Sequence, residues 1–345
     1  MTGIRILHAI RSDGFAGVER FVLRLAVAQA QAGHTVQVIG GDPARMRPGL
    51  DAAGVAHTAT PDRIRDVAGA VYALARDADV VNSHMTAADL AAAFALARLR
   101  DAPPLVSTRH FAAARGRLGP VPIDAFLGRR IQAEIAISRA VAAATGRPST
   151  VVHSGVPDVP DDSQADRDRI VLIAQRLQPE KRTDQGIRSF AASALAEHGW
   201  RLQIAGEGAE RGALEQLASE LDVDAVFLGF RDDLAARFRT AGMLLAPCTV
   251  EGLGLTVIEA MAAGLPVVAA DAGGHAEILE GLDPRALYPP DDPDAAARNL
   301  RSLASDDDGR DALGAAGRRR QRAEFTLTAQ VAGTDAVYRT AIALH

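Results

Sequence analysis

The chain has 345 residues, 48% apolar and 23% charged, which suits about two soluble domains of ~100–200 residues each. Aromatics are only 4%, which argues against nucleic-acid readers built on stacked rings, and a lone cysteine, Cys248, excludes a disulfide framework and any cysteine-built zinc or iron–sulfur centre. The net charge of −5 is uneven: residues 1–160 hold 18 Arg and 13 acids (+5), and residues 161–345 hold 19 Arg, one Lys and 30 acids (−10), so nucleic acid is not an expected partner.

The opening MTGIRILHAI turns charged too early for a signal peptide, and no run approaches ~18 apolar residues, so the expected compartment is the cytoplasm. Ile4–Ile10 reads as a strand, followed by the glycine-containing loop Asp13-Gly14-Phe15-Ala16-Gly17. A helix from about Glu19 places Phe21, Val22, Leu25, Ala28 and Ala32 on one face and stops at Gly33, before a strand at Val36–Ile39. Strand, glycine loop, helix and strand make a βαβ unit of a parallel sheet. Further strands fit Asp79–Ser83, Leu105–Thr108 and Ile135–Ser138, with helices at Thr86–Leu99 and Arg139–Thr145. Pro157, Pro160 and Asp161-Asp162-Ser163-Gln164 read as a linker. Beyond it, strands fit Ile170–Ala174, Leu202–Ala205, Ala225–Leu228, Met243–Ala246 and Pro266–Ala269. Helices fit Arg182–Glu197, Ala209–Leu221, Asp232–Thr240, Thr256–Ala263 and three segments after Asp294. The expected fold is α/β: two doubly wound Rossmann-like domains facing a central cleft, with ligands at the carboxyl ends of the strands.

Chemistry concentrates in the second half. In IAQRLQPEK, Arg176 follows a strand and Lys181 stands five residues on. Two cations at a strand end suit a diphosphate, Arg as a planar fork and Lys as a compact point charge. Lys181 is the only Lys among 38 basic residues, which marks a position where the wider guanidinium does not serve. The plain alternative is a surface pair, Arg176 with Glu180 or Lys181 with Asp184, which contributes little. In LQIAGEGAE, Gly206 and Gly208 flank Glu207; a ligand's close approach or a tight turn explains them equally. In CTVEGLGLTVIEAMAAGLPVVAADAGG, Gly252 and Gly254 form a loop before a helix whose free amides suit a phosphate or sugar hydroxyls. Glu251 lies in that loop, and Glu259, eight positions on, sits among Val257, Ile258 and Met261, where a carboxylate needs a partner such as ribose hydroxyls or an arginine.

RLQPEK, AGEG and the Glu-containing EGLGLTVIEAMAAGLPVV resemble segments of the retaining GT-B glycosyltransferases of family 4. GFAGVERFV, STRHF and HSGVP are similar to that family's glycine loop, strand-end histidine segment and entry to the second domain, in the family's order. The resemblance implies an acceptor-side domain at 1–156, a nucleotide-sugar donor domain at 157–325 and a C-terminal helix at 326–345 returning to the first. It implies that Arg176 and Lys181 hold the diphosphate, and that Glu251 with the amides of Gly252, Leu253, Gly254 and Leu255 holds sugar and phosphate. Glu259 would bind the ribose, Glu207 and Arg231 would lie near the base, His110 beside the transferred sugar and Gly17 beside the diphosphate. No metal and no cofactor are implied, the cations taking the metal's place. The implied activity moves a hexose-type sugar from a UDP- or GDP-linked donor to a hydroxyl acceptor.

There are departures from the family pattern. Ala16-Gly17 stands for the usual Gly-Gly, Leu253 for an aromatic, and Arg182 for the Gly after the Lys. None removes a needed charge. The competing readings are a nucleotide-sugar epimerase or isomerase, which needs a general acid/base pair not evident here, and a non-catalytic nucleotide-sugar binder. Glu19 and Glu134 are weak acceptor-side candidates. RGRLGPVPIDAFLGRR mixes Leu118, Val121, Ile123, Phe126 and Leu127 with arginines. With Arg109 and Arg115, those arginines (Arg117, Arg129 and Arg130) suggest a lipid-linked or otherwise anionic acceptor and peripheral contact with the inner membrane face.

Overall fold

The computed structural model describes residues 3–160 and 167–345, which leaves Asp161–Gln164 of the expected linker outside the described residues, together with the side chains of Leu118 and Val121. The chain divides into two compact units, one of Met1–Gly155 with Leu327–His345 and one of Val156–Thr326.

The first unit is a seven-stranded sheet. Its strands are β1 (Arg5–Ile10), β2 (Thr35–Ile39), β3 (Ala56–Thr58), β4 (Val80–His84), β5 (Leu105–Arg109), β8 (Ile131–Ala136) and β9 (Thr150–Val151), and β6 (Arg117–Leu118) with β7 (Val121–Pro122) makes a separate hairpin. The order is β3-β2-β1-β4-β5-β8-β9 with every pair parallel. Its helices are α1 (Gly17–Gln31), α2 (Pro43–Ala52), α3 (Ile64–Leu74), α4 (Thr86–Leu96), α5 (Ile123–Leu127) and α6 (Arg139–Thr145). Helix α1 begins two residues before the expected Glu19, because the Glu19 carboxylate accepts the Ala16 amide at 2.8 Å and so closes the first turn. Its buried face runs through Leu25, Ala26 and Gln29, while Ala28 is half-buried and Ala32 exposed. The expected stripe through Ala28 and Ala32 is corrected: Gln29 is polar and would not be placed inward by hydropathy alone.

The second unit is a six-stranded sheet of β10 (Ile170–Ala174), β11 (Arg201–Ala205), β12 (Ala225–Gly229), β13 (Met243–Ala246), β14 (Val267–Ala270) and β15 (Leu287–Tyr288). The order is β12-β11-β10-β13-β14-β15, again all parallel. Around it lie α7 (Thr183–Ser193), α8 (Arg211–Glu220), α9 (Leu234–Thr240), α10 (Leu255–Ala262), α11 (Gly273–Leu279), α12 (Pro293–Ala304) and α13 (Asp307–Glu324). Strands β10, β13 and β14 are buried throughout, as parallel strands covered on both faces must be. Each buried Val, Leu or Ile there contributes roughly 1.5–3 kcal/mol of transfer free energy. In both sheets the strand order reverses beside the first strand, which puts a crevice at the carboxyl ends of β1/β4 and of β10/β13.

The last helix, α14 (Leu327–Ala343), packs on the first unit. Asn82 donates to the Tyr338 hydroxyl at 2.5 Å, His34 meets Asp335 at 2.7 Å and Gln330 accepts the Gly155 amide at 2.8 Å. Among the described residues no helix is long and apolar enough to cross a membrane.

Candidate functional site

Lys181 ends a 3-10 turn, Pro179–Lys181, that follows β10. Gln175 ties this turn down by donating to the Lys181 carbonyl at 2.8 Å and the Thr183 hydroxyl at 2.9 Å. Glu251 comes from the loop after β13. The Lys181 ammonium donates to the Glu251 carboxylate at 2.6 Å across 70 residues of sequence. The side chains are only 16% and 25% exposed, so the pair is screened less than a surface pair. Burial works to raise the Glu251 carboxyl, and Lys181 overrides it, so Glu251 titrates below its ordinary range. The same surroundings push the Cys248 thiol up, chiefly through burial. Asp184, the expected partner in the plain reading of Lys181, pairs with Arg182 instead.

Arg176 is placed differently. Its side chain is exposed and meets Glu180 at 3.4 Å. That is the weak surface pair of the plain alternative, and it leaves the guanidinium at the strand end without a fixed aim.

The loop after β13 is shaped by glycines. Gly254 has φ +98 and starts α10, whose first amides receive no side-chain cap. Gly273, at φ +53, and Gly274 open α11 directly against this loop. A Cβ on Gly273 would lie 2.4 Å from the Glu251 carbonyl oxygen, and one on Gly274 2.2 Å from the Leu253 Cα. The Gly274 amide donates to the Glu251 carbonyl at 2.9 Å. His275 follows, with its ring against Gly254. Burial depresses its pKa to about 4, with Glu251 working against that and Lys181 adding to it. Gly273, Gly274 and His275 carried no expectation; a Gly-Gly-His three residues past the end of a strand was the available signal. Leu253 is buried and Gly252 likewise, while Leu255 is half-buried at the helix start.

Glu259 departs from expectation. It is half-buried, on the side of α10 away from buried Val257, Ile258 and Met261. The apolar surroundings suggested by sequence belong to its neighbours' face of the helix. The AGEG glycines also resolve: a Cβ on Gly206 would lie 1.8 Å from the Gln175 carbonyl oxygen, and one on Gly208 2.0 Å from that of Leu177. They let two strand-end loops touch backbone to backbone. Glu207 is exposed, near Gly229, and Arg231 forks onto Asp233 at 2.7 and 2.8 Å.

In the first unit, Gly17 is the first residue of α1, with nothing within 4 Å of where a Cβ would stand. His110 follows β5, is buried, and meets His84 at 3.1 Å. Arg109 and Arg115 are not the surface cations expected. The Arg115 side chain is fully buried; it donates to Asp89 at 2.7 Å, Asp124 at 2.6 Å and Ser107 at 2.8 Å, and forms an ion pair with Glu134 at 2.7 Å. Arg109 joins Glu134 at 3.5 Å. The acids of β8 and α4 draw both guanidinium groups inward, and Glu134 is thereby structural, as is Glu19 at the start of α1. Arg117, Arg129 and Arg130 are exposed. Among the described residues no group of three His, Cys, Asp or Glu side chains is placed to hold a metal ion.

Two family descriptions match the chain: Glycosyltransferase Family 4 over residues 15–158 and Glycosyl transferases group 1 over residues 158–320. The D-inositol 3-phosphate glycosyltransferase of Salinispora arenicola is 36% identical over 196 residues, 52% of this chain and 43% of that protein. The lipopolysaccharide core mannosyltransferase LpcC of Rhizobium leguminosarum is 28% identical over 233 residues, 62% of this chain and 66% of that one. The matched segments span from 15% to 66% of the length of such curated relatives. Among solved structures, Anabaena HepE in complex with UDP superposes with TM-score 0.83 and 20% identity, covering 98% of this chain and 100% of that one. HepE is also solved with UDP-glucose. The sucrose-phosphate synthase of Thermosynechococcus elongatus gives TM-score 0.78 and 19% identity with full coverage of both. These two likenesses bear on the fold, and the two family matches run on from one another through both units. The chain belongs to the GT-B glycosyltransferases of the family 4 type.

Proposed function

We propose that this protein is a retaining glycosyltransferase that moves a hexose-type sugar from a UDP- or GDP-linked donor to a hydroxyl acceptor without a metal ion. The observation that carries the reading is the Lys181–Glu251 pair at the carboxyl ends of β10 and β13, beside the uncapped start of α10. Breaking a sugar–phosphate bond builds negative charge on the departing diphosphate. A fixed ammonium and a helix start offset that charge as it develops, and Arg176 is free to swing onto it. Glu251 keeps the Lys181 ammonium aimed, and its own paired carboxylate is poorly disposed to attack an anomeric carbon. Retention is then front-face, with a departing phosphate oxygen taking the acceptor's proton. HepE's complexes with UDP and UDP-glucose support a nucleotide-sugar donor. The test is donor turnover with UDP- and GDP-sugars, with and without acceptors, in EDTA. Turnover that persists in EDTA is expected; no turnover of either donor, or an obligatory divalent ion, would reject the reading.

The acceptor we propose is anionic, and lipid-linked. Relatives named for D-inositol 3-phosphate and for lipopolysaccharide core support it. So do the exposed arginines Arg117, Arg129 and Arg130 and, on the same unit, the exposed rings of Phe94 and Phe126, 5.4 Å apart. Attachment would be peripheral, on the inner membrane face, in a protein of the cytoplasm. Sedimentation with anionic vesicles at low and high salt tests this. Absence of binding at low salt, with full activity on a soluble acceptor, would discard the lipid.

A further inference from the structure

Three histidines climb one face of the first sheet on a diagonal. His8 on β1 stands opposite Asn82 on β4, and His84 lies two residues beyond Asn82. His84 stands opposite Thr108 on β5, and His110 lies two residues beyond Thr108. Side chains alternate along a strand, so each two-residue step keeps to the same face. The rings are bonded in series. His8 Nδ1 meets His84 Nε2 at 3.0 Å, and His84 Nδ1 meets His110 Nε2 at 3.1 Å. At the inner end, His8 Nε2 meets Oε1 of Gln29, from α1, at 2.7 Å. All four side chains are buried.

Burial holds His8 at about 4 and His84 well below its ordinary value. Burial, with Arg109 adding, holds His110 at about 3. At neutral pH each ring is therefore neutral and carries one N–H. Two of the three N–H groups make the two inter-ring bonds, and the third must lie at one end of the row. The acceptor that Gln29 presents puts it on His8 Nε2. His8 then accepts through Nδ1 from His84 Nε2–H, and His84 accepts through Nδ1 from His110 Nε2–H. The Nδ1 of His110 is left as a lone pair. Turning the Gln29 amide over would reverse every bond in the row and put an N–H at His110 Nδ1 instead.

We propose that Gln29 is a positioning residue that, through His8 and His84, holds His110 in its Nε2–H form and so presents the Nδ1 lone pair to a hydroxyl of the transferred sugar. The tautomer stands on the hydrogen-bonded row of neutral, buried rings and its Gln29 end, and only the identity of the hydroxyl rests on the transferase reading. Phe21, edge-on to the His110 ring at 4.6 Å, fixes the plane in which that lone pair points. A sugar hydroxyl there must donate, whereas the reversed row would require it to accept.

The test is two-bond 1H–15N correlation of the full-length protein labelled at its histidines. His110 is assigned by the signals lost in His110→Asn. In the wild type, His110 is expected as the Nε2–H tautomer. In Gln29→Leu, it is expected to shift toward Nδ1–H, and kcat/KM for the donor to fall about tenfold, the loss of one hydrogen bond. A wild-type His110 carrying Nδ1–H would overturn the proposal, even if Gln29→Leu does not fold. So would a tautomer unchanged in a folded Gln29→Leu. Wild-type protein that turns over no nucleotide sugar would overturn the sugar as ligand while the spectrum still decides the tautomer.

Discussion

The only lysine of the chain is held at 2.6 Å from a half-buried carboxylate. An arginine would bring a wider fork and a second set of donors into the same space. Glu251 has its pKa depressed against the pull of burial, so it contributes stability that is present at neutral pH and is lost as pH falls through its folded pKa. Lys181→Ala removes the cation and that contribution together. Turnover is expected to fall ~10²-fold or more. Arg176→Ala should also cut turnover by ~10²-fold, but with stability within about 0.5 kcal/mol, since its partner Glu180 is a surface group. Steady-state rates and urea unfolding on both variants separate the two effects. Near-normal turnover in either folded variant would remove that residue from the chemistry.

At the scale of elements, the position of the Glu251 loop depends on how closely α11 can approach it. Gly274→Ala places a Cβ 2.2 Å from the Leu253 Cα, a clash with backbone that no rotamer relieves. A loss of about 1–3 kcal/mol, with weakened donor binding, is expected. Gly212→Ala on α8 is the contrast: nothing lies within 4 Å of its Cβ, and helix propensity should raise stability by up to ~1 kcal/mol. A Gly274→Ala protein as stable as the Gly212→Ala protein would refute the packing argument. In the first unit, Arg115 joins α4, α5, β5 and β8 through four partners. Arg115→Ala leaves Asp89 and Glu134 buried without their main cation, at a cost of about 3–5 kcal/mol. Chemical denaturation measures it; a loss under about 1 kcal/mol would mean that water replaces the guanidinium.

For the molecule as a whole, the buried histidines set a response to acid. His8 and His275 lie near 4, His110 near 3, and His84 well below the ordinary value, against about 6.5 for an unfolded histidine. Between the folded and unfolded values, the unfolded chain binds the protons that the folded chain refuses. Stability therefore rises with pH through that window and levels off above about 6.5. Unfolding free energy is expected to drop between pH 7 and pH 5, by at most ~1.4 kcal/mol per pH unit for each titrating histidine. Urea titrations at pH 8, 7, 6 and 5 check the slope. A flat profile from 7 to 5 would mean these rings are not held neutral.

Strands β10 and β13 have the bounds that their apolar runs announce, Ile170–Ala174 and Met243–Ala246. A central parallel strand is covered on both faces, so hydropathy alone marks its length. Strand β3, three residues at an edge, and α2, with Pro48 inside it, carry no such mark and were not anticipated. In the second unit, Lys181, Glu251 and Gly254 were legible because each sits at a strand end or helix start, where local chain geometry decides what the residue can do. Local rules could not say that Lys181 and Glu251 would meet, or that Arg176 would lie exposed. Nor could they place Arg109 and Arg115 inside. In sequence these look like members of a basic surface run, but Asp89 and Glu134 arrive from separate elements and neutralise them out of water. The histidine row is the clearest case. His8, His84 and His110 are 76 and 26 residues apart, and only the parallel register of three strands stacks them ring to ring. Sequence determined the elements, whose causes are local periodicity and punctuation. The tertiary structure decided which charges and rings share a proton or a partner, because that depends on register between strands distant in the chain.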